Sequence, residues 1–293
     1  MNDPHAAFQQ HVPRLRAIAY RMLGTQADAD DMLQETWLRW QRSDISQIEE
    51  PEAWLVTTVT RLCIDRLRAV KRERESYFAP WLPEPLVGHA PPADAQAELA
   101  SELSVAFLVV LERLTPEERA AFLLHDVFDC GYAEIARMLG RNEASCRQMV
   151  HRARERVRRD KPRFQVSEQA HRRLLQRFLD ALRTGSHEAL LELFAEDVTW
   201  TADGGGKVPA SSKVVAGRER VAKLLAGVSR VLLQPRLEKL AFEFAPINGT
   251  TGIIAWFEGR PLWALSLETD GVHVLAGYNI INPDKLVRIR RPT

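Results

Sequence analysis

At 293 residues, with 45% hydrophobic and 27% charged residues, the chain is too long for one small domain and has the balance of a soluble globular protein. No apolar run approaches the roughly 18 residues of a membrane span. No apolar signal region follows the first charges either, so a cytoplasmic protein is expected. The net charge of +1 conceals two basic blocks. One holds Arg61, Arg66, Arg68, Lys71, Arg72 and Arg74 against Asp65 and Glu73, and the other holds nine Arg or Lys between positions 141 and 163 against Glu143, Glu155 and Asp160. Two such blocks in a near-neutral chain predict two separate polyanion contacts.

Residues 1–75 read as helices. Leu15, Ile18, Ala19 and Met22 form one apolar stripe, and Gly24 is a stop signal. In the next helix Leu33, Trp37 and Trp40 share a face at i, i+4, i+7, which makes the tryptophans core residues. Asp28, Asp31 and Glu35 line the opposite face at i, i+3, i+7. After a loop from Asp44 to Glu50, Pro51 opens a long helix at an allowed first-turn position. Leu55, Val59, Leu62, Cys63, Leu67 and Val70 fall on one side of it, and Arg61, Asp65, Arg68 and Arg72 form a ridge on the other.

Residues 76–97 carry five prolines and form a linker, extended through Trp81-Leu-Pro-Glu-Pro-Leu86. A solvated linker seldom needs a Trp and two Leu, so this segment is expected to dock. Helices return over 98–163. Thr115-Pro-Glu-Glu118 is a helix start with Thr as N-cap and Glu at N3. A short helix from Tyr132 to Leu139, a break at Gly140-Arg-Asn142 and a basic helix from Glu143 spell a helix-turn-helix, with a plain helical hairpin as the alternative. Ala133, Ile135, Ala136 and Leu139 are its expected packing residues, and Asn142 caps the second helix. Ser145, Arg147, Gln148 and His151 lie on the first two turns, where base edges are reached; Arg152, Arg154 and Arg158 suit phosphates.

From residue 168 onward two amphipathic helices precede a series of strand-like runs: Val198–Thr201, Leu237–Phe244, Thr251–Glu258, Leu262–Glu268 and Val272–Ile281. Helix first and a curved antiparallel sheet later predict an α+β cone. Cys63, Cys130 and Cys146 have no zinc or redox spacing and are expected as reduced core thiols, with no metal or cofactor.

Taken in order, three segments resemble the extracytoplasmic-function (ECF) sigma factors. Asp28-Ala-Asp-Asp-Met-Leu-Gln-Glu-Thr-Trp-Leu-Arg-Trp40 is similar to their polymerase-binding helix. Pro51-Glu-Ala-Trp-Leu-Val-Thr-Thr-Val-Thr-Arg-Leu-Cys-Ile-Asp-Arg-Leu-Arg68 looks like their −10 helix, and the helix-turn-helix matches their −35 reader. Thr60 departs from the pattern, since many members carry Asn there. Trp81-Leu-Pro-Glu-Pro85, Asp203-Gly-Gly-Gly-Lys207 and Asn282-Pro-Asp-Lys-Leu286 resemble the subgroup with a fused SnoaL-like (NTF2-like) domain, which is thought to replace a separate anti-sigma protein.

The resemblance implies a multidomain chain. Two all-α sigma lobes, at 1–75 and 98–163, are joined by the 76–97 linker and followed by a SnoaL-like regulatory domain at 168–293. It implies binding to core RNA polymerase (the β and β′ subunits) through Asp28, Asp31, Gln34 and Glu35. Promoter contacts are expected from Arg61, Asp65, Arg68, Arg72, Ser145, Arg147, Gln148, His151 and Arg152. Regulatory contacts are expected from Trp81, Pro83, Glu84, Asp203, Gly204, Gly205, Gly206, Lys207, Asn282, Pro283, Asp284 and Lys285. No catalytic residue is expected. Asp197, Asp203 and His273 are the only acid–base candidates in the C-terminal domain. An apolar cavity lined by Trp200, Phe242, Trp256 and Trp263 would instead favour a small ligand. The glycine run and the Asn282 segment also fit simple turns, and an ordinary two-site DNA-binding repressor is the competing function.

Overall fold

The structure, a computed structural model, describes residues 4–74, 80–88, 103–160 and 166–291, with the side chains of residues 4, 71–74 and 160 outside that description. These residues fall into two compact units. One holds the described residues of Met1–Ser76 and Leu108–Asp160, the other those of Tyr77–Phe107 and Lys161–Thr293.

The first unit is all helix. It contains α1 (Pro4–Leu23), α2 (Gln26–Arg42) and α3 (Pro51–Arg74), then the end of α4 (Val105–Leu111), α5 (Pro116–Asp126), α6 (Tyr132–Leu139) and α7 (Glu143–Asp160). Leu15, Ile18 and Met22 of α1 pack with Leu33 and Trp40 of α2 and with Leu55, Val59, Cys63 and Leu67 of α3; all are buried. This is the apolar stripe that the 3.6-residue period demands. Trp40 is buried in this core, and Trp37 packs at its margin against Phe8, with ring centroids 4.9 Å apart. Thr115 and Glu118 make the expected capping box at the start of α5, each side chain bonding the other's backbone N–H.

The helix-turn-helix turns on Gly140, whose φ of 62° closes α6 in the left-handed region that favours glycine. Asn142 caps α7 by accepting from the Ser145 N–H at 2.8 Å. The crossing is packed by Ile135, Ala136 and Met138 of α6 against Cys146, Met149, Val150, Ala153 and Val157 of α7. Met138 fills the position expected of Leu139, which is half-buried, while Ala133 is exposed. The stripe is rotated by one residue because the short helix leans onto α3 as well as α7.

In the second unit α8 (Glu168–Thr184) and α9 (His187–Leu193) precede β1 (Phe194–Asp203), β2 (Val215–Ala216) and α10 (Arg218–Val228). A π turn (Ser229–Leu233) and a 3-10 turn (Gln234–Lys239) lead to β3 (Leu240–Ile247), β4 (Thr250–Phe257), β5 (Arg260–Thr269), β6 (Val274–Ile280) and the one-turn helix α11 (Pro283–Leu286). Among the described residues the sheet order is β2-β1-β6-β5-β4-β3. It is mixed, not purely antiparallel as expected: β1 pairs parallel with β6, Trp200 opposite Gly277. A parallel pair needs a long crossover, and the strands and helices between β1 and β6 provide it.

The inner face of the sheet and the buried faces of α8, α9 and α10 form one core. Leu174, Leu175, Phe178, Leu179 and Leu182 come from α8, Val221 and Leu225 from α10, and Trp200, Ile253, Trp263 and Leu265 from the strands. The result is the α+β cone.

Candidate nucleic-acid interface and linker junction

On α3, Val59, Cys63, Leu67 and Val70 face the core, and Arg61, Asp65 and Arg68 stand on the exposed side. Arg72 lies further along the same helix, its side chain outside the described residues. The two described arginines of the ridge are already engaged. Arg61 donates from Nε to the Met138 carbonyl at 2.8 Å and from Nη2 to the Arg137 carbonyl at 3.3 Å. These carbonyls belong to the last turn of α6, where backbone acceptors lack intrahelical partners and the helix dipole is negative. Arg68 bonds Asp65 at 3.0 Å and also Glu117 of α5. Burial disfavours the charge on Glu117, but the Arg68 bond, the backbone hydrogen bond at Glu117 and the charges of Arg68 and Arg141 together outweigh it and hold the Glu117 pKa below the ordinary range. An open cleft of about 670 Å³ is lined by Gln47, Ile48 and Glu50 of the loop, Trp54 and Arg61 of α3, and Arg137 of α6. The Asp44–Glu50 loop therefore shares its cleft with the helix-turn-helix.

On α7 the outer face carries Arg147, Gln148 and His151, all exposed, with Ser145 half-buried beside them. Arg147 pairs with Glu143 at 3.0 Å, and its guanidinium lies 5.3 Å from the Tyr132 ring centroid. Two arginines expected on phosphates are placed differently. Arg152 donates to Glu118 at 3.1 Å, joined by Arg156 at 2.7 Å, and Arg154 makes a bidentate pair with Asp126, 2.7 Å at each contact. They tie α7 to α5. Burial opposes charge on Glu118, yet its bonds to the Thr115 backbone, Arg152 and Arg156 prevail and lower its pKa. Arg158 and Arg159 remain exposed at the end of the helix.

Of the acidic stripe on α2, Asp31 and Gln34 are exposed and Glu35 is half-exposed in a pair with Arg39 at 2.9 Å. Asp28 is not part of an open stripe. It accepts from Arg66 of α3 at 2.8 Å and from the Thr25 hydroxyl at 2.6 Å, with its side chain only 17% exposed. An acid at the first turn of α2 both complements the helix N-terminus and anchors α3. The sequence period placed it correctly on a face but could not show that α3 covers it.

In the second unit the three motifs singled out in the sequence meet at one point. Asp203 ends β1 fully buried, and its Oδ2 accepts from the Leu82 N–H at 2.9 Å and from Lys285 Nζ at 2.6 Å. Lys285 also donates to the Leu82 carbonyl and sits 4.2 Å from the Trp81 ring centroid. The remaining oxygen, Asp203 Oδ1, accepts from the Gly205 N–H at 2.9 Å. Lys207 pairs with Asp284 at 2.6 Å, and Asn282 caps α11 by accepting from the Asp284 N–H at 3.1 Å.

Leu82, Pro83, Glu84 and Pro85 are buried, and Arg288 approaches Glu84 at 3.7 Å. Beyond them Leu86 and Gly88 bond Asn248 and Pro246, and Val87 bridges Ile247, so the linker adds to the edge of β3. Gly204 and Gly205 are required by close approach. A Cβ on Gly204 would lie 2.1 Å from the Val208 carbonyl, and one on Gly205 would lie 2.4 Å from the Asn282 side chain. Pro283 is exposed at the first turn of α11. Asn248 and Arg288 are partners that no sequence motif announced; the φ of 51° at Asn248 marks a turn position that Asn tolerates.

The acid–base candidates do not assemble. Asp203 is held by Lys285, His273 lies 3.5 Å from Asp270 in the β5–β6 turn, and Asp197 is exposed on β1. Trp200, Trp263 and Phe242 belong to or pack on the core of the cone. Trp256 sits outside that cluster, its indole N–H donating to Glu243 at 2.9 Å. Cys63, Cys130 and Cys146 are buried free thiols, and burial pushes the Cys63 pKa far up. Among the described residues no cluster of His, Cys, Asp and Glu has metal-binding geometry, and no helix is long and apolar enough to cross a membrane.

The helical unit is that of a sigma factor: residues 7–73 match the family model Sigma-70 region 2, and residues 104–157 match Sigma-70, region 4. The chain is 38% identical to the ECF RNA polymerase sigma factor SigJ of Mycobacterium tuberculosis, covering 95% of this chain and 91% of that one. It is 32% identical to the probable ECF RNA polymerase sigma factor SigI of the same organism, covering 96% of each. A crystal structure of M. tuberculosis SigJ superposes with a TM-score of 0.72 at 35% identity, covering 95% of both chains. The chain belongs to the extracytoplasmic-function RNA polymerase sigma factors. It directs promoter-specific transcription initiation, and its C-terminal α+β domain is an extension shared with SigJ.

Proposed function

We propose that this arrangement is a closed state of the sigma factor, in which the helices that read the promoter are held against each other until polymerase and DNA compete them apart. The observation that carries this reading is the pair of bonds from Arg61 to the carbonyls of Arg137 and Met138. A guanidinium that donates to backbone carbonyls of α6 cannot offer the same N–H groups to a DNA strand. Arg68, on Glu117, is in the same position. Opening frees Arg61 and Arg68 for the −10 strand, which Arg72 also contacts, with Asp65 shaping the same ridge. Ser145, Arg147, Gln148 and His151 meet base edges of the −35 element, and Arg158 and Arg159 take phosphates. Arg152 contributes to DNA binding only indirectly, by fixing α7 on α5. Asp31, Gln34 and Glu35 are the part of the acidic stripe open to the polymerase β′ subunit, with β contacts elsewhere.

The C-terminal domain regulates in cis through the linker. The chain between α3 and α4 sets how far the two sigma lobes can separate. Pinning residues 81–88 on the cone through Asp203, Lys285, Glu84 and Asn248 shortens the free tether and raises the effective concentration of one lobe near the other. Lys207 and Asp284 brace the turn and the tail, and Gly204 and Gly205 allow their close approach. This regulation needs no separate anti-sigma protein, ligand, cofactor or membrane, and it places a non-enzymatic factor in the cytoplasm with its polymerase. Run-off transcription with core polymerase tests it by comparing the full chain with one ending at Ile281. The shortened chain loses Lys285 and should give markedly higher output; equal output overturns cis regulation through this junction.

A further inference from the structure

Arg147 is the exposed arginine on the second turn of α7, where a guanidinium meets a base edge. Its side chain is 62% exposed, yet it has two neighbours that restrict its orientation. Glu143 pairs with it at 3.0 Å from one side, and the Tyr132 ring faces its guanidinium at 5.3 Å. Tyr132 is itself fixed. The His125 ring lies tilted against it, with centroids 4.2 Å apart and an interplanar angle of 35°. His125 is held in turn by Nδ1 at 3.0 Å from the Cys130 carbonyl. Tyr132 is half-buried and is not among the residues that pack the α6–α7 crossing.

We propose that Tyr132 is a positioning residue for −35 readout, its ring holding the Arg147 guanidinium in the plane that presents two parallel N–H groups to one base edge. The inference rests on the reading of Arg147 as a base reader. A bidentate arginine matches the O6 and N7 acceptors of guanine, and its discrimination depends on the angle of the fork. An unrestrained exposed arginine samples many rotamers, so only part of its population has that angle. A ring under the guanidinium narrows the set without occupying any donor, because the contact uses the π face. The His125–Tyr132–Arg147 chain of ring contacts carries the rigidity of α5 and α6 into the recognition helix.

The test uses holoenzyme reconstituted from core polymerase and the full chain, transcribing a promoter library randomised across the −35 element. Arg147→Ala should abolish a preference for guanine at one position. Tyr132→Leu and Tyr132→Met should weaken that same preference by roughly 2–5-fold, the scale of an exposed cation–π contact. Tyr132→Phe should keep the preference, since it retains the ring. Polymerase co-purification reports folding of each variant, and Tyr132→Met supplies a flexible, unbranched replacement if Tyr132→Leu does not fold. A base profile unchanged in both Leu and Met variants, while Arg147→Ala alters it, overturns the positioning role. An unchanged profile in Arg147→Ala overturns the base-reading assignment itself, and the inference with it. Equal loss in the Phe variant also counts against the ring, because it would put the effect on the hydroxyl.

Discussion

Lys285 and Asp203, 82 positions apart, meet with Nζ 2.6 Å from Oδ2 where neither side chain is more than 9% exposed. Both charges have given up water, and their compensation comes from each other, the Leu82 backbone and the Gly205 N–H. A buried pair of this kind is weak evidence for net stability, but breaking it is costly because the survivor is left uncompensated. Lys285→Met should destabilise the C-terminal domain by about 3–5 kcal/mol. Asp203→Asn should cost a similar amount, and the double variant less than the sum of the two. Denaturant unfolding of the four forms measures this; additive losses would show that the two charges act separately.

Gly205 and Gly206 have nearly the same backbone, with φ of 64° and 70°, but different surroundings. An added Cβ meets Asn282 at Gly205 and open space at Gly206. Gly206→Ala should cost only the left-handed strain, about 1–2 kcal/mol. Gly205→Ala must also displace Asn282 and so uncap α11. Limited proteolysis should then cleave the tail after Ile281 faster in Gly205→Ala than in Gly206→Ala. Equal cleavage rates would mean that Asn282 yields without moving the tail.

Glu117 holds Arg68 but is remote from the bases expected to be read. Its loss should change stability little, by about 0–1 kcal/mol, because Arg68 is half-exposed. Its effect on DNA should be larger. Glu117→Gln releases one of the two described arginines of the ridge, so −10 strand binding by the free protein should rise several-fold, as read by fluorescence anisotropy with a single-stranded −10 oligonucleotide. Arg68→Ala in the same background should remove the gain. A Glu117→Gln protein with unchanged affinity would show that the pair does not compete with DNA.

Burial raises the pKa of Glu268, on β5, to about 7. The folded domain therefore keeps a proton that the unfolded chain releases near the ordinary glutamate value of about 4.3. The contribution of Glu268 to stability is full below that ordinary value and is lost as pH rises through about 7. Glu268→Gln, neutral at every pH, should remove that decline and stabilise the domain by roughly 1–3 kcal/mol at alkaline pH relative to the parent. Denaturant midpoints on either side of neutrality decide; parallel pH profiles for the two proteins would place the titration elsewhere.

The sequence alone determined what depends on neighbours along the chain. The α6–turn–α7 motif is set by Gly140, the Asn142 cap and the alternation of apolar and basic positions. The Thr115–Glu118 box and the buried face of α8 follow in the same way, because capping and a 3.6-residue period are local physics. The three short motifs of the linker, the glycine turn and the tail were also visible in sequence. Only the tertiary structure decided what the long charged side chains hold. A guanidinium at the end of a flexible stem takes the nearest carboxylate or free helix carbonyl, and that partner comes from packing, not from spacing. So Arg61 found Met138, Arg152 found Glu118, Asp28 found Arg66, and Asp203 closed on Lys285. The parallel β1–β6 pair has the same origin: alternation fixes which side of a strand is buried, while the direction of its neighbour depends on how the intervening chain crosses over.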